Sequence, residues 1–273
     1  MKVALCTPSL NGLVQDEYAK SFGQLCRRQA DITLMHIPCR GVTLVHEARN
    51  FLVAQALNSG ADKVFFVDAD MSFRPDDFIR LATSPHPLIG GIYQQRARQW
   101  NAPLSMVARY SKFPPVVDDD GVIRMDGLGT GFLCIAREVF DAVRESGRAP
   151  KYLPKAEAVV AGPAETVWNH YRAYFDFSWM AVSKGLLPAE CRAVLDRIGY
   201  EYEADADGEF ARLMVGEDFT FCNKARDCGF ELVADPDCRL VHWDGTVAHP
   251  MAFRDIKWDA ADSGKVQILM GAE

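Results

Sequence analysis

Phe65-Phe66-Val67-Asp68-Ala69-Asp70 is an apolar run that stops abruptly in two carboxylates. The run reads as a buried strand. Burying unpaired charge is expensive, so Asp68 and Asp70 belong at its carboxyl end, the edge at which an open α/β sheet binds its ligands. A metal ion and a phosphate group would be held there.

Outward from this stretch, apolar segments alternate with helical patterns. Residues 3–6 read as a first strand, Thr7-Pro8-Ser9-Leu10-Asn11-Gly12 as the loop after it, 16–29 as a helix and 32–37 as a second strand. The next helix spans 42–57, with Val45, Ala48, Leu52 and Ala56 on its apolar face and Asn58-Ser59-Gly60 at its end. After the strand at 63–67 come a helix opened by Pro75-Asp76-Asp77 and a strand at 88–93. This rhythm predicts a mostly parallel sheet of Rossmann-like α/β type with helices on both faces.

From about residue 101 the pattern changes. Residues 104–110 and 121–125 read as strands joined by a hairpin turn at Asp118-Asp119-Asp120-Gly121. Gly127-Leu128-Gly129-Thr130-Gly131 leads into a strand at 132–136 and a helix from Arg137. Residues 150–213, rich in aromatics that include Trp168, Tyr174, Phe175, Phe177 and Trp179, fit no simple βα unit and read as an insertion with a helix over 188–198. Beyond it, Gly216-Glu217-Asp218 opens a short helix, and strands at 230–234 and 239–241 end at His242. We therefore expect a single domain over 1–273. Its nucleotide-binding half is 1–100, its donor and acceptor half 101–149 with 214–250, and 150–213 is inserted.

A chain of 273 residues that is 49% apolar can bury a full core. Its formal charge of −7 and pI near 5.4 argue against a broadly basic nucleic-acid surface. The eight cysteines (6, 26, 39, 134, 191, 222, 228 and 238) form no Cys-x-x-Cys pair, and the first residues are too short for a signal-peptide core. Reduced thiols in a cytoplasmic protein are expected, without a membrane-spanning segment.

Two acids one residue apart offer hard oxygen ligands to Mg²⁺ or Mn²⁺, and a metal held by few protein groups keeps positions open for a diphosphate. The same pair serves equally as a turn former. A calcium loop is excluded, because counting from Asp68 puts Phe73 where glycine is needed and Ile79 where glutamate is needed. Glu217 and Asp218 suit the positive end of a helix dipole as well as acid–base chemistry, and His242 suits a core position as well as a metal. Gly127, Gly129 and Gly131 let a backbone approach a ligand closely, but a strand follows them, so they form no dinucleotide fingerprint. Arg49, Arg96 and Arg98 are candidates for phosphate contact. The remaining histidines and the cysteines show no ligand spacing.

Taken together, Arg49-Asn50, Phe66 to Met71, Gly90-Gly91-Ile92-Tyr93, Gly127 to Phe132, Gly216 to Cys222 and Gly229 to His242 resemble the GT-A glycosyltransferases, specifically the family 2-like group of bacteria and phages. The resemblance covers residues 1–140 and 214–245. It implies that Asp70 binds Mn²⁺ or Mg²⁺, that Asp68 contacts the metal or the ribose, and that His242 completes the metal site. It also implies that Thr7 and Pro8 line the nucleotide pocket, that Gly129, Thr130 and Gly131 face the donor sugar, and that Asp218 is the base, with Glu217 beside it as the alternative. The donor would be a UDP- or GDP-sugar. The acceptor stays open between a saccharide, a protein or lipid-linked sugar and a modified nucleic-acid base, with the aromatic insertion, through Trp168 or Trp179, covering its side of the cleft. Stereochemistry and oligomeric state are not set by these residues.

Two other classes compete. The 66–72 stretch is also similar to the nucleophile strand of haloacid-dehalogenase-type phosphatases, although that strand normally comes first and two βα units precede it here. A non-catalytic nucleotide-sugar binding module is the other, and Asp218 beside the metal residues speaks against it.

Overall fold

A computed structural model of the chain describes residues 1–28, 30–94, 107–112, 114–152, 170–186, 189–197, 201–205 and 208–256. In chain order the elements are β1 (Lys2–Ser9), α1 (Asp16–Cys26), β2 (Thr33–Arg40), α2 (Val45–Asn58), β3 (Lys63–Val67), β4 (Met71–Ser72), α3 (Pro75–Thr83), β5 (Leu88–Gly91), β6 (Ala108–Tyr110), β7 (Ile123–Leu128), β8 (Phe132–Ala136) and α4 (Arg137–Glu145). They continue with β9 (Ser178–Ser183), α5 (Ala189–Arg197), β10 (Glu203–Asp205), β11 (Gly208–Val215), α6 (Glu217–Asp227), β12 (Leu232–Asp235), β13 (Arg239–Asp244) and β14 (Val247–Ala252).

Eight strands form one sheet in the order β2-β1-β3-β8-β5-β12-β7-β6. β2, β1, β3, β5, β12 and β6 run one way, and β8 and β7 run the other. The strand period of two divides the core cleanly. Val3, Leu5, Phe65 and Val67 face one side with Tyr18 of α1 and Phe78 and Leu81 of α3. Ala4, Cys6, Val64 and Phe66 face the other with Leu52 of α2, Phe140 of α4 and Phe221 of α6. Strands buried on both faces need continuous apolar sequence, which is why these segments stood out. β8 enters the sheet between β3 and β5 and pairs antiparallel with both, setting Phe132 opposite Val67. Its amino end therefore reaches the edge where β3 ends.

The segment read as an insertion divides into two parts. Tyr171, Tyr174 and Phe175 belong to the main core: Phe175 stacks on Phe221 at 4.7 Å and meets Phe66 edge-on at 5.4 Å. Asn50 fixes this return. Its Nδ2 donates to the Phe175 carbonyl and its Oδ1 accepts from the Phe175 amide, both at 2.8 Å. The second part is a separate antiparallel sheet, β10-β11-β9, which the sequence pattern did not reveal. Trp168, Arg96 and Arg98 lie outside the described residues.

A third sheet, β14-β13-β4, flanks the acids. Its junction with α3 is tied by Asp77, which is fully buried and accepts hydrogen bonds from Arg74 Nε and Nη2 (2.9 and 2.7 Å), Arg80 Nη2 (3.0 Å) and the Arg239 amide (3.0 Å). Arg74 and Arg80 are half-exposed and regain water when released, whereas the Arg239 amide loses its partner. Asp77→Ala is therefore expected to lower stability by about 2 kcal/mol, read as a shift of the urea midpoint at constant slope. An unchanged midpoint would show that the clamp contributes nothing. Among the described residues no helix is long and apolar enough to cross a membrane, and the seven cysteines whose side chains are described are free thiols.

Candidate active site

The carboxyl ends of β1 and β3 open onto a cleft of about 630 Å³, within the range of small-molecule sites. Pro8, Asn11, Gln15, Val42, Val45, Ala48 and Asp68-Ala69-Asp70 contribute to its walls. Pro8 stands where the sequence placed it. Thr7 does not line the cleft: β1 continues in register with β2 as far as Ser9, so Thr7 is still a strand residue, buried, with its hydroxyl 2.5 Å from that of Tyr18.

Asp70 and His242 meet because β4, only two residues long, pairs antiparallel with β13, setting Met71 opposite His242. The Trp243 amide donates to the Asp70 carbonyl at 2.9 Å and locks this register. His242 Nδ1 lies 2.8 Å from the Gln94 carbonyl oxygen. A carbonyl can only accept, so Nδ1 carries the proton. The other ring nitrogen, Nε2, lies 3.5 Å from Asp70 Oδ1. A backbone carbonyl fixing the far nitrogen is the usual support of a metal-ligating histidine.

Asp68 is differently engaged. Its Oδ1 accepts from Arg49 Nη1 at 3.1 Å, while Arg49 Nε faces Glu217 Oε1 at 3.5 Å. Arg49 is buried and its guanidinium lies 5.7 Å from the centre of the Phe66 ring. It is thus a bridge between two acids under the cleft rather than an exposed phosphate clamp, since its buried guanidinium is shared between Asp68 and Glu217. Among the described residues no group of three His, Cys, Asp or Glu side chains gathers tightly enough to hold a metal ion, so Asp68, Asp70 and His242 do not form a closed triad. Asp70 and His242 do fit a two-ligand site for a hard divalent cation, one that leaves positions for diphosphate oxygens and water.

Glu217 and Asp218 open α6, and the Phe219 amide donates to Asp218 Oδ1 at 3.2 Å. Burial first, and then the like charge of Glu217, push the Asp218 carboxyl up to about 6; Arg49 pulls the other way. Such a carboxylate is ionised at neutral pH yet still basic enough to accept a proton.

Tyr93 closes the Gly90-Gly91-Ile92-Tyr93 motif, but the sequence assigns it no role. Its buried hydroxyl accepts the Gly131 amide at 2.9 Å, and its ring meets His242 edge-on at 5.4 Å. Burial raises its phenol well above the usual range, with Asp68 and Asp218 adding to the rise, so it stays protonated and can donate in turn. The Gly131 carbonyl accepts the Asp68 amide at 3.1 Å. A Cβ on Gly131 would lie 2.7 Å from the Tyr93 hydroxyl oxygen and 3.1 Å from Asp68 Oδ2, so this approach requires glycine. Gly129 presses on the same tyrosine. Thr130 between them is fully buried, with a hydroxyl that has no hydrogen-bond partner within the protein. Six distant segments thus converge. Arg49, Asp68 to Asp70, Tyr93 with Gly131, Glu217-Asp218 and His242 surround one end of the sheet.

The solved crystal structure of A197 from STIV aligns with this chain at a TM-score of 0.47 and 12% sequence identity, covering 90% of this chain and 87% of that one. No protein-family model and no curated protein matches the chain.

Proposed function

We propose that this protein is a GT-A-like, metal-assisted glycosyltransferase that moves a sugar from a nucleotide-sugar to an acceptor hydroxyl. The observation that carries this is the meeting of His242 Nε2 and Asp70 Oδ1, 3.5 Å apart at the edge of the cleft, with the other ring nitrogen committed to the Gln94 carbonyl. Asp70 and His242 would hold Mn²⁺ or Mg²⁺. When bound, the metal supplies Lewis-acid neutralisation of the departing diphosphate.

The chain's own residues do the rest. The Pro8 to Gln15 loop and the start of α2 enclose the nucleotide, a UDP or GDP moiety. Arg49 holds Asp68 still beneath it. The backbone of Gly129 to Gly131, propped by Tyr93, faces the donor sugar. Asp218 accepts the proton of the acceptor hydroxyl, whose oxygen attacks the anomeric carbon from the side opposite the departing nucleoside diphosphate and inverts that centre. A phosphatase mechanism would need Asp68 as nucleophile, and its hydrogen bond to Arg49 speaks against that.

Mn²⁺ with UDP or GDP is expected to raise the melting temperature of the wild-type protein. At a hundredfold excess over Kd the gain is about 2.7 kcal/mol. Asp70→Ala should abolish the Mn²⁺-dependent part while leaving the unliganded melting temperature nearly unchanged. Undiminished metal-dependent stabilisation in that variant would remove Asp70 from the site.

A further inference from the structure

Several large apolar side chains are exposed among the described residues, and some of them lie on or beside the smaller antiparallel sheet. On the β10-β11-β9 sheet, Trp179 and Met214 are directly opposed across the strands, so they share a face, and they are 64% and 61% exposed. Phe177, just before β9, is also exposed, and its ring packs edge-on against His46 at 5.1 Å. His46 follows Val45, an exposed residue that lines the cleft. The Phe177–His46 contact thus links Val45 at the cleft, along the chain, to an apolar band that includes Trp179 on β9. Bands of this kind mark binding surfaces.

The band also leads to the base. β11 ends at Val215, and Asp218, the second residue of the next helix, follows three residues on. Met214 lies four residues before Asp218, a backbone span of at most about 14 Å. The Ser178 hydroxyl, at the start of β9, bonds that of Thr220 on α6 at 2.8 Å, so sheet and helix are joined beside the catalytic acid.

Charge decides what chemistry suits this face. The charges described on and beside these strands offset one another: Arg212 is paired with Glu203 at 2.6 Å, and Lys184, just after β9, with Glu209 at 2.9 Å. A polyanion finds no cationic surplus there, whereas binding to nucleic acid needs one. A flat indole with a thioether beside it, on a surface without excess positive charge, suits the apolar face of a neutral sugar ring. We propose that the Trp179–Met214 face is the platform for a neutral oligosaccharide acceptor, whose terminal sugar enters beside Asp218. This rests on the transferase assignment above and narrows its acceptor to a glycan chain.

The test is titration of cellohexaose, chitohexaose and mannohexaose, with single-stranded DNA as the polyanion, into wild-type protein, Trp179→Ala and Trp179→Phe, without donor. Mn²⁺-dependent stabilisation by UDP or GDP is read in parallel on the same samples. A neutral hexasaccharide is expected to bind the wild type, about tenfold more weakly to Trp179→Ala and nearly normally to Trp179→Phe, with the nucleotide response equal in all three. Glycan binding that ignores Trp179→Ala overturns the platform. So does a wild type that takes the nucleotide but none of the hexasaccharides, or binds the DNA through Trp179. A dimer that Trp179→Ala disperses, with no glycan bound, makes the face a self-interface and overturns it too. Failure of the transferase assignment looks different: glycan binding persists and the nucleotide response is absent in every protein.

Discussion

Replacing Asp218 by asparagine is expected to lower sugar transfer by on the order of 10² to 10⁴ while nucleotide binding persists. Asparagine keeps the size and the acceptor oxygen for the Phe219 amide but cannot take a proton. Wild-type kcat/KM should fall about tenfold per pH unit below pH 6, because a carboxyl held near 6 is protonated there and no longer a base. Residual activity in Asp218→Asn should lack this acid limb. The sign for stability is opposite. A carboxyl raised above its unfolded range near 3.9 opposes folding once it ionises, an effect absent below about pH 4 and complete above about pH 6. The asparagine variant should therefore be at least as stable as the wild type at pH 7.5, so loss of transfer is not loss of fold. Near-normal turnover in that variant would move the base elsewhere, with Glu217 first to test. Loss of nucleotide binding would place Asp218 in the donor site.

Arg49→Met carries the largest expected cost in stability. It leaves Asp68 and Glu217 facing each other beneath the cleft without the guanidinium that separates them, and removing one partner of a buried ion pair costs about 3 kcal/mol. The deficit should shrink from pH 8 to pH 5, as the Asp218 carboxyl, held up to about 6 and stabilised as an anion by Arg49, takes up its proton. Losing the cation that pulls Asp218 down should also move the acid limb of transfer to higher pH. Arg49→Lys restores the charge but cannot reach both acids, and should fall between the two. Urea midpoints at the two pH values decide the matter; equal stability of Arg49→Met and wild type would mean that the bridge is incidental.

The sheet was legible where strands are buried on both faces. β3 and β8 have the predicted bounds, since nothing in Lys63–Val67 or Phe132–Ala136 interrupts the apolar run. The hairpin turn at 118–121 was legible through its chemistry: Asp118 Oδ1 accepts the Asp120 and Val122 amides, and Gly121 has a φ of 78°. β4 was not legible, because two residues show no period, yet it is β4 that sets His242 beside Asp70. The β9–β11 sheet escaped for a related reason: its exposed face carries Trp179 and Met214, which blur the alternation of apolar and polar residues. Arg49 was read as a phosphate ligand because Glu217, which returns to it, lies 168 positions away. Thr7 was read as loop because four apolar residues end at Cys6, while pairing with β2 carries the strand on to Ser9.

β12 pairs with β5 on one side and β7 on the other, and so joins the two parts of the sheet. During synthesis, β5 and β7 emerge from the ribosome long before it does, since roughly 140 residues separate Gly91 from Leu232. At about 5–20 residues per second, the β5 edge waits on the order of 7 to 30 s for its partner. Throughout that interval the nascent chain presents two open hydrogen-bonding edges, the feature on which misassembly between chains begins. A product released before residue 232 keeps both edges open for good, so the amino-terminal part cannot serve by itself as a detached nucleotide-binding module.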